Sequence, residues 1–163
     1  MKSMKILIFP FFLQLHHLLG MQYLKPKEKY NFLDIGAGPG YSFSCIDNIL
    51  DNPNLYLLEN NVDAYNYFQR SLLDINILNR LDEVKEKIDF VLMSHSLEHF
   101  NAVDIYDILR GINNSLSEGG YFLCEVPNAN LIEYPDANDL VNPHLTFFTF
   151  KSIKQLLIKA NFN

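Results

Sequence analysis

Near the middle of the chain, His95-Ser96-Leu97-Glu98-His99 puts two imidazoles and a carboxylate within a few residues of one another. If a helix begins there, His95, Glu98 and His99 share one face, at i, i+3 and i+4. His144 follows later, in the stretch before the last apolar segment. Histidine exchanges protons near neutral pH, so His95 or His144 is a candidate general base facing an acceptor. Imidazoles with one carboxylate also suit zinc, iron or manganese, which makes His95, Glu98, His99 and His144 candidate metal ligands. A third reading has Glu98 and His99 bracing a turn by hydrogen bonds. The residue types alone leave all three open.

A second constellation lies upstream. In "NFLDIGAGPGY", Asn31 to Tyr41, a short apolar run enters Gly36, Gly38 and Gly40 at alternate positions. Without a Cβ, glycine adopts unusual dihedrals and lets a ligand press against the backbone. Glu59 lies nineteen residues past Gly40, at the end of the next apolar run, where a carboxylate can accept both hydroxyls of a ribose. The dinucleotide fingerprint is G-x-G-x-x-G, whose helix N-terminus holds a pyrophosphate. Here the spacing is G-x-G-x-G, and Tyr41 stands where the last glycine would be. That substitution disfavours a nicotinamide-dependent oxidoreductase and suits a ligand with a ribose but no phosphate.

These residues need a scaffold that alternates strands and helices. "YNFLDI", "LYLLE", "INIL", "IDFVLMS" and "YFLCEVP" read as five strands, the fourth continuous and apolar as expected of a strand buried on both faces. "YSFSCIDNIL", "VDAYNYFQRSLL", "NAVDIYDILRGINNSL" and "FKSIKQLLIKANF" read as helices, the third stopped by "SEGG" at Ser117 to Gly120. The fold class is α/β, a Rossmann-like doubly wound parallel sheet of about five strands, whose ligand belongs beyond the carboxyl ends of the strands.

A chain of 163 residues can bury one sizeable core, and its 48% hydrophobic and 20% charged content is ordinary for a globular protein. The net charge of −6 argues against a nucleic-acid partner, because phosphate binding needs a basic surface. Cys45 and Cys124 lie in apolar segments without C-x-x-C spacing and read as buried free thiols, which suits a reducing cytoplasm. The apolar run Ile6 to Leu15 follows a basic start, as in a secretory signal, yet it lacks a small-x-small cleavage site and is interrupted by Pro10. It is also too short to span a bilayer as a helix. The expectation is an N-terminal helix and connector over residues 1–29, with a cofactor-binding domain over residues 30–163.

Taken in order, the motifs resemble those of class I S-adenosylmethionine-dependent methyltransferases. "LDIGAGPGY" is similar to their first motif and "YLLENN" to their ribose-binding motif. "IDFVLMSHSLEHF" and "LSEGGYFLCEVPN" are similar to their fourth- and fifth-strand motifs. "NPHLTFFTFKSIKQLLIKANF" resembles the closing helix of the small-molecule branch with a Leu-Glu-His signature. The resemblance runs from Asn31 to Phe162.

It implies S-adenosyl-L-methionine as cofactor, with Asp34 and the turn Gly36, Ala37, Gly38 and Gly40 facing its methionine part. Glu59 would hold the ribose hydroxyls, Asn60 would lie beside the adenine, Asn79 would contact the adenine edge, and Ser94 would border the methyl group. Some methyltransferases carry a Glu-x-x-Glu-His metal site here, and His95 stands in place of its first glutamate. The acceptor would be a small molecule, such as a sugar, lipid precursor or quinone-like compound. A non-catalytic cofactor-binding or interaction module is the alternative. The family fold continues into a sixth strand and an antiparallel seventh, so the expectation for this chain is a shortened C-terminus. Its fifth strand would then be an exposed edge, open to cover by an oligomer.

Overall fold

The computed structural model of the chain describes residues 28–38, 40, 42, 43, 46, 50, 52–70, 74–130 and 144–162. The expected N-terminal helix, Tyr41, Cys45 and most of the polar stretch before His144 lie outside these described residues.

Five strands form one parallel sheet: β1 (Asn31–Ile35), β2 (Asn54–Leu58), β3 (Ile75–Leu78), β4 (Ile88–Ser94) and β5 (Leu116–Glu125). Their spatial order is β3-β2-β1-β4-β5, so the chain reverses direction across the sheet between β1 and β4. Helix α1 (Val62–Gln69) joins β2 to β3 and α2 (Ile105–Ser115) joins β4 to β5, while α3 (Phe150–Lys159) closes the chain. Ser42, Phe43 and Ile46, after the glycine turn, are also helical.

Alternation along the strands divides the core into two layers, since successive side chains point to opposite faces. On one face Phe32, Leu55, Leu57, Phe90 and Leu92 pack against Phe43, Ile46 and Phe68. On the other, Leu33, Ile35, Val91 and Met93 meet Ile105, Leu109 and Ile112 of α2 and Ile153 and Leu157 of α3. The three α2 residues recur at i, i+4 and i+7, the spacing of a helical stripe. Central β4 is sealed on both sides, with every residue from Phe90 to Met93 no more than 1% exposed. Truncating Leu92 to alanine there removes contacts on a face that cannot collapse, at a cost of about 2–5 kcal/mol.

One expectation is corrected. "SEGG" does not cap α2 as a turn; it belongs to β5, which begins at Leu116 paired with Ile88. The register then jumps, Phe90 pairing with Tyr121, so extra β5 residues bulge out between the two pairs. Gly119 takes φ +75° within that bulge. Glycines that read as a helix stop thus serve a strand irregularity.

Chain segments beyond the sheet are tied to its carboxyl edge. The Ala129 N–H donates to the Phe148 carbonyl at 2.8 Å, and Thr149 and Ser152 cap α3 reciprocally. At the far end of α2, the Asn113 side chain donates to the Asn161 carbonyl at 3.1 Å.

Candidate functional site

β1, β2 and β4 all end at the same edge, on either side of the point where strand order reverses. The turn after β1 is built on protein contacts as much as on open space. At Gly36, φ is +75° and an added Cβ would sit 2.6 Å from Cβ of Ser96. Ser96 cannot swing aside freely, because its hydroxyl donates to the Ile35 carbonyl at 2.8 Å. Gly40 is similarly closed, by the ring of Phe68. Gly38 differs: its φ is +52° and nothing among the described residues lies within 4 Å of an added Cβ. Of the three glycines, Gly38 alone has an open face among the described residues.

Glu59, leaving β2, fastens this turn. Its carboxylate accepts from the Gly38 N–H at 3.1 Å and from the Asn61 N–H at 2.8 Å. A carboxylate has about four acceptor sites, so two bonds leave room for further donors. Asn60 is exposed beside it. Asn61 caps α1, its side chain accepting from the N–H groups of Asp63 and Ala64. Asn79, past β3, is exposed at the same edge, and its N–H donates to Glu83 at 3.0 Å.

Asp34 is buried one residue before the end of β1, 2% exposed, and accepts a hydrogen bond from the Ser42 hydroxyl. Burial pushes its carboxyl up to about 7; the Ser42 bond opposes that shift, and the negative charge of Glu59 adds to it. Ser42 as a partner of Asp34 carried no recognisable signal in the sequence beyond its place in the first helix.

Across the switch point, the chain leaves β4 through Ser94 and His95. The Ser94 hydroxyl donates to Glu125 at 2.6 Å, and the His95 N–H donates to the Glu125 carbonyl at 3.0 Å. His95 has φ +50°, which turns the backbone before the single 3-10 turn Leu97–His99. The α-helical face expected for His95, Glu98 and His99 therefore does not form. Glu98 points inward, 2% exposed, while the side chain of His95 is 58% exposed. Nδ1 of His95 lies 3.6 Å from Oε1 of Glu98. That carboxylate is the main cause raising the His95 pKa above its ordinary value; partial burial opposes the shift, and Glu125 assists it.

Neither carboxylate oxygen of Glu98 has a hydrogen-bond partner among the described residues. Its backbone, by contrast, is well used: the Glu98 carbonyl accepts from the N–H groups of Leu145 and Thr146 at 2.8 and 3.0 Å. The Thr146 hydroxyl donates to the Phe100 carbonyl at 2.9 Å. These bonds bring His144 over the turn, with its ring centroid 5.0 Å from that of His99. Glu98, His99 and His144 each offer a ligand atom, all within 4.8 Å of one another. Leu145 and Phe147 remain about half exposed next to them.

A protein-family profile described as a methyltransferase domain matches residues 10–163. Solved structures agree on the fold. A SAM-dependent methyltransferase from Archaeoglobus fulgidus is 18% identical with TM-score 0.72, the match covering 93% of this chain and 68% of that one. The cyclopropane synthase MmaA2 from Mycobacterium tuberculosis is 16% identical with TM-score 0.69, covering 91% and 60%. The plantazolicin methyltransferase BpumL, solved with a desmethylPZN analogue and SAH, is 17% identical with TM-score 0.66, covering 88% and 58%. The chain thus spans about three fifths of the length of MmaA2 and BpumL. Comparison with curated protein sequences gives no match. The fold is Rossmann-like, with the glycine turn at the sheet's switch point, and the chain belongs to the methyltransferase domain family. Among the described residues, no helix is long and apolar enough to cross a membrane.

Proposed function

We propose that the chain binds S-adenosylmethionine along the edge formed by β1 and β2 and transfers its methyl group to a small-molecule acceptor. The observation that carries this reading is the Gly38–Glu59 pair, an open-faced glycine whose N–H is held by a strand-end carboxylate. The open face admits a ligand against the backbone, and the spare acceptor capacity of Glu59 suits ribose hydroxyls. The structures of BpumL and of the cyclopropane synthase CmaA1 were each solved with SAH, which supports the same cofactor class here.

Asp34 and the turn Gly36, Ala37, Gly38 and Gly40 would surround the methionine part, with Asn60 and Asn79 along the adenine. Ser94 would border the methyl group. The cofactor supplies a methyl carbon already bonded to a good leaving group. What remains for the protein is to align the acceptor and exclude water, a task of proximity. His95, exposed at the exit of β4, is placed to take the proton of an oxygen or nitrogen acceptor, and His144 is the second candidate. The half-exposed Leu145 and Phe147 beside His144 favour an acceptor with apolar character, such as a lipid precursor or quinone-like compound, over a bare sugar. The net charge of −6 disfavours nucleic acid, and a cytoplasmic location accords with a buried free thiol at Cys124. Residues 30–163 would form the cofactor-binding domain after an N-terminal segment 1–29. β5 is the edge strand of the described sheet, and a second copy of the chain is a fitting cover for it.

The test is incubation with S-adenosylmethionine and a panel of hydroxylated lipid, quinol, sugar and nucleic-acid acceptors, reading S-adenosylhomocysteine formed. Acceptor-dependent product from the apolar acceptors supports the proposal. Turnover confined to nucleic-acid acceptors contradicts it.

A further inference from the structure

We propose that the outer face of α3 docks on an anionic lipid surface, with Phe150 and Ile158 entering the headgroup layer and Lys151, Lys154 and Lys159 pairing with lipid phosphates. The proposal rests on surface side chains and stands apart from the methyl-transfer reading, although a bilayer is where a lipid or quinone-like acceptor would be met.

The residues of α3 and its C-cap divide between two faces. Ile153, Leu157 and Ala160 are buried, at the i, i+4 and i+7 spacing of a core stripe. Packing is met without Phe150 and Ile158, which stand 51% and 55% exposed. At 3.6 residues per turn, Phe150, Lys154, Ile158 and Lys151 fall within one arc of about 100°, and Lys159 lies at its margin. Nζ of Lys154 sits over the Phe150 ring, 6.0 Å from its centroid, so charge and apolar surface are interleaved on this face. Lysine stems lie along apolar surface while the ammonium reaches outward, the arrangement a headgroup layer accommodates.

The patch continues past the helix towards the candidate site. Leu145 and Phe147, alternate residues of the segment entering α3, are about half exposed as well. The Phe147 ring lies 6.2 Å from that of His144, so the apolar surface begins where the acceptor would bind. Exposed apolar side chains gathered in this way mark an interaction surface.

Charge selects the occupant. The chain carries a net charge of −6, yet from His144 to Asn163 it has three lysines, all exposed, and no Asp or Glu. Lysines beside exposed Phe and Ile on a helix are the pattern of an element that lies on a membrane without spanning it. The acidic balance of the rest of the chain opposes other orientations. Screening over about 8 Å at physiological salt keeps that repulsion from cancelling the local attraction.

The experiment floats the full chain with vesicles of phosphatidylcholine alone and of phosphatidylcholine with phosphatidylserine, at low and high salt. Binding to the phosphatidylserine vesicles is expected to be at least tenfold tighter and to weaken as salt rises. Each lysine near an anionic surface contributes about fivefold, so Lys151→Gln with Lys154→Gln weakens binding about 25-fold. Phe150→Ser and Ile158→Ser each weaken it about five- to tenfold through lost apolar burial. Thermal unfolding and S-adenosylhomocysteine titration of the same variants should match the parent chain, which separates a lost surface from a lost fold or a failed cofactor edge. Absence of binding to the phosphatidylserine vesicles, equal binding to both vesicle types, or binding unaltered in the double lysine variant overturns the proposal. A lipid-free dimer that dissociates in Phe150→Ser assigns the face to a second copy of the chain and overturns it too.

Discussion

Adding a single methyl group at Gly38 or at Gly36 separates a glycine kept for a ligand from one kept for packing. In Gly38→Ala the new Cβ meets nothing among the described residues within 4 Å, so the cost is conformational, from φ +52°. Left-handed backbone costs an L-residue about 1–2 kcal/mol, and the smaller entropy of the unfolded alanine chain returns about 0.4–1 kcal/mol. The net loss is about 1 kcal/mol, a Tm decrease of about 2–4 °C for a chain of this size. In Gly36→Ala the same strain is joined by a Cβ 2.6 Å from Cβ of Ser96, whose hydroxyl is anchored on the Ile35 carbonyl. Overpacking adds about 1–3 kcal/mol, so the total reaches about 2–5 kcal/mol and Tm falls by about 5–15 °C. Calorimetric titration with S-adenosylhomocysteine supplies the second readout. Gly38→Ala, though well folded, loses at least tenfold in affinity, about 1.4 kcal/mol, because its methyl fills the ligand's approach. A Gly38→Ala protein that binds like the parent chain would refute the assignment of the open face. So would one that unfolds as early as Gly36→Ala.

Other perturbations bear on the same edge. Folding raises the Asp34 carboxyl from 3.8 to about 7, so the native state holds this proton more tightly than the unfolded chain. Its stabilising contribution is full below pH 3.8 and is lost as pH rises to about 7, an effect on the order of 4 kcal/mol. Urea unfolding of parent and Asp34→Asn across this window should show the parent losing stability relative to the variant as pH rises. If His95 is the acting base, its pKa, raised chiefly by Glu98, places the rising limb of the kcat/KM profile above pH 6.5. That limb should move down in Glu98→Gln and vanish in His95→Asn. Asn61→Ala removes the cap of α1, which accepts from two N–H groups, and should cost about 1 kcal/mol in thermal unfolding.

Some of this was legible from residue order, and the reasons differ by element. β1 to β4 announce themselves as apolar runs between turns, and burial on both faces of β4 explains its unbroken apolar stretch. The start of β5 was not legible, because a Gly-Gly pair after a helix reads as a cap whether or not a strand follows. The glycines and Glu59 were singled out by type and spacing, and Asp34 only through the family resemblance. Their division of labour was not, since whether a glycine faces solvent or Phe68 depends on a side chain twenty-eight residues away. The turn at His95-Ser96-Leu97-Glu98-His99 shows the same limit. One left-handed residue, His95, reverses which of its side chains are buried, and no periodicity encodes that. Ser96 and Glu125 hold the exit of β4 in place through bonds that only the folded sheet creates.

The central claim is that this edge binds S-adenosylmethionine through Glu59. Its most direct measurement is titration of the parent chain and of Glu59→Ala with S-adenosylhomocysteine, S-adenosylmethionine and NAD. The account predicts single-site micromolar binding of the first two to the parent chain, weakened at least tenfold in Glu59→Ala, and no binding of NAD. Binding of NAD alone, or binding of the methyl donor unaffected by Glu59→Ala, would contradict it.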